Sequence, residues 1–134
     1  MSEESAIIQI KPEPLPCDTI VYRALLRPEW INEDTKKVSD QAYYLRKLEQ
    51  GIENGISVNI AKLCSPEICA RRFNKCIGVA SLHVGKIRDI DLDVIVDQGD
   101  HALIIGLPFK DNALKQAKRL AHLLAKQSRI ILRF

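Results

Sequence analysis

Cys64, Cys69 and Cys76 follow one another at intervals of five and seven residues, and His83 comes seven residues later. Three thiolates and an imidazole would complete a tetrahedral zinc site, so these four are the candidate metal ligands. The tightest pair is a broad Cys-x4-Cys with Pro66 inside it. Free cysteine is also among the most buried residue types, so core thiols are the plainer expectation. A second group lies in the run DIDLDVIV, where Asp89 and Asp91 stand two apart. On a strand, that spacing puts both carboxylates on one face, where Mg²⁺ could bridge them to a phosphate. A solvated acidic strand face is the expectation weighed against it. His101 forms the third group. Asp97 or Asp100, both just before it, could orient its ring, and a carboxylate orienting an imidazole is how a general base is commonly built. Gly78 and Gly85 stand alone, so the chain carries neither a P-loop nor a dinucleotide fingerprint.

Two short stretches resemble known enzyme families. DIDLDVIV resembles the catalytic strand of the minimal nucleotidyltransferases, which would imply Mg²⁺ and a nucleotide at Asp89 and Asp91. Tyr22-Arg23 in TIVYRALL and Ser57 in GISVNIA faintly resemble the NAD site of ADP-ribosyltransferases. That likeness implies NAD as substrate, with Arg23 on an early strand and Ser57 on a middle one. The family often adds a later glutamate. This chain has none after Glu67, and His101 or an aspartate nearby would have to take that place.

Charge is unevenly spread. Residues 89–100 hold five aspartates and no Lys or Arg, whereas residues 110–134 hold seven Lys/Arg against Asp111 alone. The basic residues Lys115, Lys118, Arg119, His122 and Lys126 fall on one side of a helical pattern. They form the candidate partner-binding stripe, suited to an acidic protein or a phosphate-bearing partner. The opposing expectation is that acidic strand and basic helix neutralise each other across the fold. Only 5% of the residues are aromatic, which argues against reading single strands by stacking.

The elements that position these groups follow from periodicity. Three prolines at 12, 14 and 16 make residues 1–18 an extended tail, where Ile7, Ile8 and Ile10 could pair onto a sheet edge. Residues 19–134 are expected to be one domain. TIVYRALL reads as a strand, with Trp30 as an apolar anchor after it. Residues 39–53 carry apolar side chains at the spacing of an amphipathic helix, although Tyr43, Tyr44 and Gly51 leave strand or loop open for part of it, and residues 56–60 alternate as a strand. Ser65-Pro66-Glu67 opens a helix running to about Phe73. Residues 77–105 read as a three-stranded antiparallel meander whose last strand is central. Asp111 or Asn112 should cap a helix through ALKQAKRLAHLLAKQ, and RIILRF closes the chain as a strand.

The fold class expected is therefore α+β, a mostly antiparallel sheet of five to six strands with two or three helices. The C-terminal helix should pack on the sheet. No apolar run is long enough to cross a membrane, and the acidic first residues do not make a secretory signal. A cytoplasmic protein with reduced cysteines is the expectation. The function expected is a non-enzymatic binding or accessory module using the basic helix face. The alternative is a small nucleotide-using enzyme, working through Arg23 and Ser57 with NAD or through Asp89 and Asp91 with Mg²⁺.

Overall fold

A computed structural model of the chain describes residues 14–134. Ile7, Ile8 and Ile10, and most of the expected tail, lie outside those residues. The architecture is α+β: one six-stranded antiparallel sheet with three helices, the last of them packed across one face.

Strand β1 (Ile20–Leu25) sits near the middle of the sheet. On one side it pairs with β7 (Gly78–His83) along its whole length, and β7 pairs in turn with β10 (Arg129–Arg133). On the other side it meets β6 (Ile56–Ile60), then β9 (His101–Ile105) and finally β8 (Asp93–Gln98) at the edge. Two small hairpins cross the segment between β1 and β6. They are β2 (Ile31–Asn32) with β3 (Lys37–Val38), and β4 (Lys47–Leu48) with β5 (Gly51–Ile52).

The two faces are covered unequally. Helix α3 (Leu114–Gln127) lays Ala117, Leu120, Ala121, Leu124 and Ala125 on the sheet. Leu120, Ala121, Leu124 and Ala125 meet Val21, Leu25, Val58, Ala80, Leu82 and Ile104 in the larger core. Burying this much branched apolar surface is the main drive for folding. Trp30 joins the same core, as expected of an anchor. The opposite face carries a smaller cluster of Ala24, Cys64, Cys69, Ala70 and Val79 beneath helix α1 (Pro66–Arg71). That helix starts as its sequence predicts: Ser65 Oγ accepts from the Ile68 amide at 3.1 Å, and Pro66 holds the first position.

Several expectations change. The meander does not form, because β7 is separated from β8 by β1, β6 and β9. After β7 the chain makes a one-turn helix α2 (Val84–Arg88) instead of a hairpin, which buries Val84 and Ile87 together. Strand β9 lies second from the edge and is not central. The predicted helix over 39–53 is a 3₁₀ turn at Asp40–Tyr43 followed by the β4–β5 hairpin. Tyr43 explains the break: its ring is wholly buried and its hydroxyl bonds Ser128 Oγ at the end of α3. Glu49 and Gln50 form the turn of that hairpin, and Gly51, at φ +133, opens its second strand. Neither Asp111 nor Asn112 caps α3, since Ala113 occupies that position and makes no side-chain cap.

Gly55 marks a close approach that the sheet requires. A side chain there would come within 2.6 Å of the Ile104 carbonyl oxygen on β9, so only glycine lets the start of β6 lie against its neighbour.

Candidate functional site

The ladder between β1 and β6 stops at the pair Tyr22–Asn59, one residue before Arg23. Beyond it, the side chain of Arg23 bonds across to β6. Its Nη1 donates to the Ser57 carbonyl at 3.0 Å, where a paired strand would have offered a backbone N–H. Its Nε and Nη2 both donate to the Ala42 carbonyl, at 3.2 and 2.9 Å, which fastens the 3₁₀ turn to the sheet. The guanidinium also lies 4.6 Å from the centre of the Trp30 ring, a cation–π distance. Arg23 is 6% exposed, and among the described residues no carboxylate pairs with it. Burial, the largest influence, pulls its pKa down to about 10, so it remains charged at neutral pH. A guanidinium has five N–H groups, and these bonds leave two of them free.

A cavity of about 300 Å³ opens at this departure of the strands, lined by Arg23, Arg46, Ser57, Asn59, Arg72, Phe73 and His101, with Ala24 and Leu26 beneath. Its size is at the lower end for small-molecule sites. Arg23 and Ser57 come from β1 and β6, and His101 from the start of β9, where it sits opposite Asn59. Arg72 and Phe73 come from the end of α1. Three residues singled out from the sequence thus share one pocket.

The other charges in the pocket are already matched. Arg46 closes on Glu53 through Nε to Oε1 at 3.2 Å and Nη2 to Oε2 at 3.1 Å. Arg72 forks onto Asp100, Nη1 to Oδ1 at 2.8 Å and Nη2 to Oδ2 at 2.7 Å. The Arg72 fork holds the Asp100 carboxyl below its ordinary value, and the same bond raises Arg72. His101 Nδ1 lies 3.0 Å from Asp97 Oδ2, so the expected orienting carboxylate is Asp97. Asn59 braces the wall from behind: its Nδ2 reaches Asp100 Oδ1 at 3.5 Å, and its Oδ1 accepts from the Cys69 thiol at 3.4 Å. Among the described residues no carboxylate lines the cavity.

The other candidates are not brought together. Asp89 ends α2 and Asp91 sits in the following turn at φ +65, so neither lies on a strand and they share no strand face. The strand begins at Asp93, whose carboxylate accepts from Arg88 Nε at 2.8 Å. The expected Mg²⁺ ladder of Asp89 and Asp91 therefore does not form. A helical turn that buries Val84 and Ile87 outcompetes the alternation of Ile90 and Leu92.

The cysteine thiols donate to separate oxygens: Cys64 to the Ser65 carbonyl, Cys69 to Asn59 and Cys76 to the Gly78 carbonyl. Burial raises Cys69 to about 12, and raises Cys64 as well, so both are held as thiols. His83 precedes α2 at the far end of β7, and its Nδ1 is buried without a partner among the described residues. Within those residues no three His, Cys, Asp or Glu side chains are gathered as a metal ion would need.

The basic stripe is present as a surface. Lys115, Lys118, Arg119, His122 and Lys126 are all exposed on α3. Among the described residues the stripe meets one carboxylate, Asp40, whose Oδ1 lies 3.3 Å from His122 Nδ1. Asp93, Asp97 and Asp100 instead pair with Arg88, His101 and Arg72 respectively. No helix among the described residues is long and apolar enough to cross a membrane.

Arg46, Asn59, Arg72 and Phe73 were not singled out from the sequence. Arg72 carried one signal, since the Ser65-Pro66 start places it at the helix end; its partner lies 28 residues away. No family model, curated protein or solved structure matches the chain, and the site's own geometry carries the functional reading.

Proposed function

We propose that the chain is a binding module for a small phosphate-bearing ligand of the nucleotide class, seated in the pocket between β1 and β6. The observation that carries this reading is the convergence of Arg23, Ser57 and His101 on one cavity in which Arg23 is a buried cation with no carboxylate. A buried charge held by two carbonyls and the Trp30 ring, with Glu53 acting on it only from a distance, is costly, and a bound anion would supply a direct counter-charge. Guanidinium N–H pairs match phosphate oxygens in geometry. Phe73 adds an aromatic wall for a base, and the Ser57 side chain and His101 supply hydrogen-bonding groups. NAD fits this chemistry as a ligand if one of its two nucleotide halves sits in the cavity of about 300 Å³ and the other lies outside it. Transfer of its ADP-ribose is the weaker reading, because no carboxylate lines the cavity to assist it.

Thermal shift against NAD, AMP and ATP, each with and without Mg²⁺, tests the reading, since a ligand of the native state raises its melting temperature. A rise that needs no metal, and that Ser57→Ala abolishes while leaving the unliganded melting temperature in place, is the expected result. Absence of any shift at millimolar nucleotide would sink it.

A second reading keeps the basic face of α3 as a docking surface for an acidic protein or a phosphate backbone. It is favoured by a shallow hollow of about 540 Å³ beside the stripe, where Lys37, His122 and Lys126 stand against the single carboxylate of Asp40. Such binding would weaken steeply with salt.

A further inference from the structure

The three arginines of the pocket differ in one respect that bears on which nucleotide it accepts. Arg46 and Arg72 are each occupied by their own carboxylate in a two-bond fork, whereas Arg23 has none. We propose that Asp100 restricts the pocket to ligands whose phosphate carries a single negative charge, such as cyclic or diester-linked nucleotides, and discriminates against terminal phosphate monoesters. The inference rests on the nucleotide reading above and names the charge class of its ligand.

Asp100 is fixed in place. Both its oxygens are taken by Arg72, Oδ1 is also within reach of Asn59 Nδ2 at 3.5 Å, and its carbonyl accepts from the Ile60 amide at 2.7 Å. Gly99, at φ +59, sets the turn that presents it. The carboxylate therefore does not swing aside to release Arg72. A singly charged phosphate can be matched by Arg23 alone. A dianion would need a second guanidinium, and the nearest ones are already neutralised; it would also meet the Asp100 charge across the Arg72 side chain. Asp100 does not line the cavity itself, so it acts through Arg72 as a positioning residue.

Calorimetric titration with adenosine, cyclic AMP and AMP at about pH 8 tests this, because a phosphate monoester, with its second pKa near 6, is doubly charged there. Cyclic AMP is expected to bind about tenfold more tightly than AMP, a ratio in keeping with one extra unmatched charge in a partly solvated site. In Asp100→Asn, which keeps the shape but frees the Arg72 charge, AMP should gain about tenfold while cyclic AMP changes by less than about threefold. Asp93→Asn, which removes a carboxylate bound to Arg88 outside this pocket, should leave the ratio alone. Should Asp100→Asn fold poorly, Arg72→Gln supplies the opposite test: it leaves Asp100 unmatched and should widen the preference for cyclic AMP.

An AMP affinity equal to or above that of cyclic AMP in the natural chain overturns the inference, and so does an equal effect of Asp100→Asn on both. In either case the pocket remains a nucleotide site. Failure of all three compounds to bind overturns the nucleotide reading and the inference with it.

Discussion

Three lysines, an arginine and a histidine stand in water along α3, while between β1 and β6 one arginine is held under Trp30 by two backbone carbonyls. The stripe has more charge, but its lysines and Arg119 make no ion pair among the described residues and stay exposed to water. Arg23 is buried, and its geometry is set by Ala42 and Ser57. Surface cations of the first kind attract any anion weakly and lose strength with salt. A desolvated guanidinium in a fixed fork recognises one shape. Charge density alone would point to α3; preorganisation points to the pocket.

The largest effect should come from Arg23→Met. The substitution keeps an apolar stem of similar length but removes the donors to the Ala42 and Ser57 carbonyls. Buried acceptors left unmatched cost about 1–3 kcal/mol each, offset in part by no longer burying a charge. A net loss of about 2 kcal/mol in urea unfolding is expected, together with loss of nucleotide binding. Arg23→Lys should fail similarly, because a single ammonium does not span the two carbonyls. If either variant kept full stability, Arg23 would be as loosely held as the stripe and the contrast would collapse.

How much of this arrangement was legible in the sequence depended on range. Ser65-Pro66 announced its helix because a cap and a first-turn proline act within four residues. Arg23 and Ser57 were noticed as single residues on strands, and α3 by its periodic stripe. Strand order was hidden because β7 and β8 are neighbours in sequence while their partners are β1 with β10 and β9 respectively. The run through Ile90 and Leu92 alternated like a strand, yet Asp91 at φ +65 shows the chain reversing there, with Ile87 and Leu92 both buried around it. The Arg72–Asp100 fork joins a helix end to a hairpin turn, and no local pattern announces such a pair. The departure of β1 from β6 after Tyr22 was equally invisible, since nothing in TIVYRALL marks where a ladder ends.

A smaller effect, and one that depends on pH, belongs to Asp100. The Arg72 fork depresses its carboxyl pKa, so the native state favours the ionised form more than the unfolded chain does. The resulting stability is complete above the ordinary aspartate value near 4 and is lost as pH falls through the lower folded-state value. Arg72 is nearly half exposed, with a side-chain exposure of 43%, so the pair should contribute only about 0.5–1 kcal/mol. Asp100→Asn should therefore lose about that much at pH 7, and very little at about pH 3, in urea titrations at the two values. An equal loss at both would mean that Asn59 and the turn, rather than the ion pair, carry the residue's contribution.

The smallest effect on stability is expected at the stripe. Lys118→Ala and Arg119→Ala remove exposed side chains with no ion-pair partner among the described residues, and each should change unfolding free energy by less than about 0.5 kcal/mol. Nucleotide affinity should also be unchanged, because neither residue lines the pocket. Any binding to a DNA duplex should respond differently. If α3 meets phosphates there, each substitution should reduce the slope of log affinity against log salt by about one. The two sites are thereby separable in one pair of variants: a stripe substitution that weakened nucleotide as well as duplex would mean a single extended anionic ligand running from the pocket over α3, and the pocket could no longer be treated as a self-contained site.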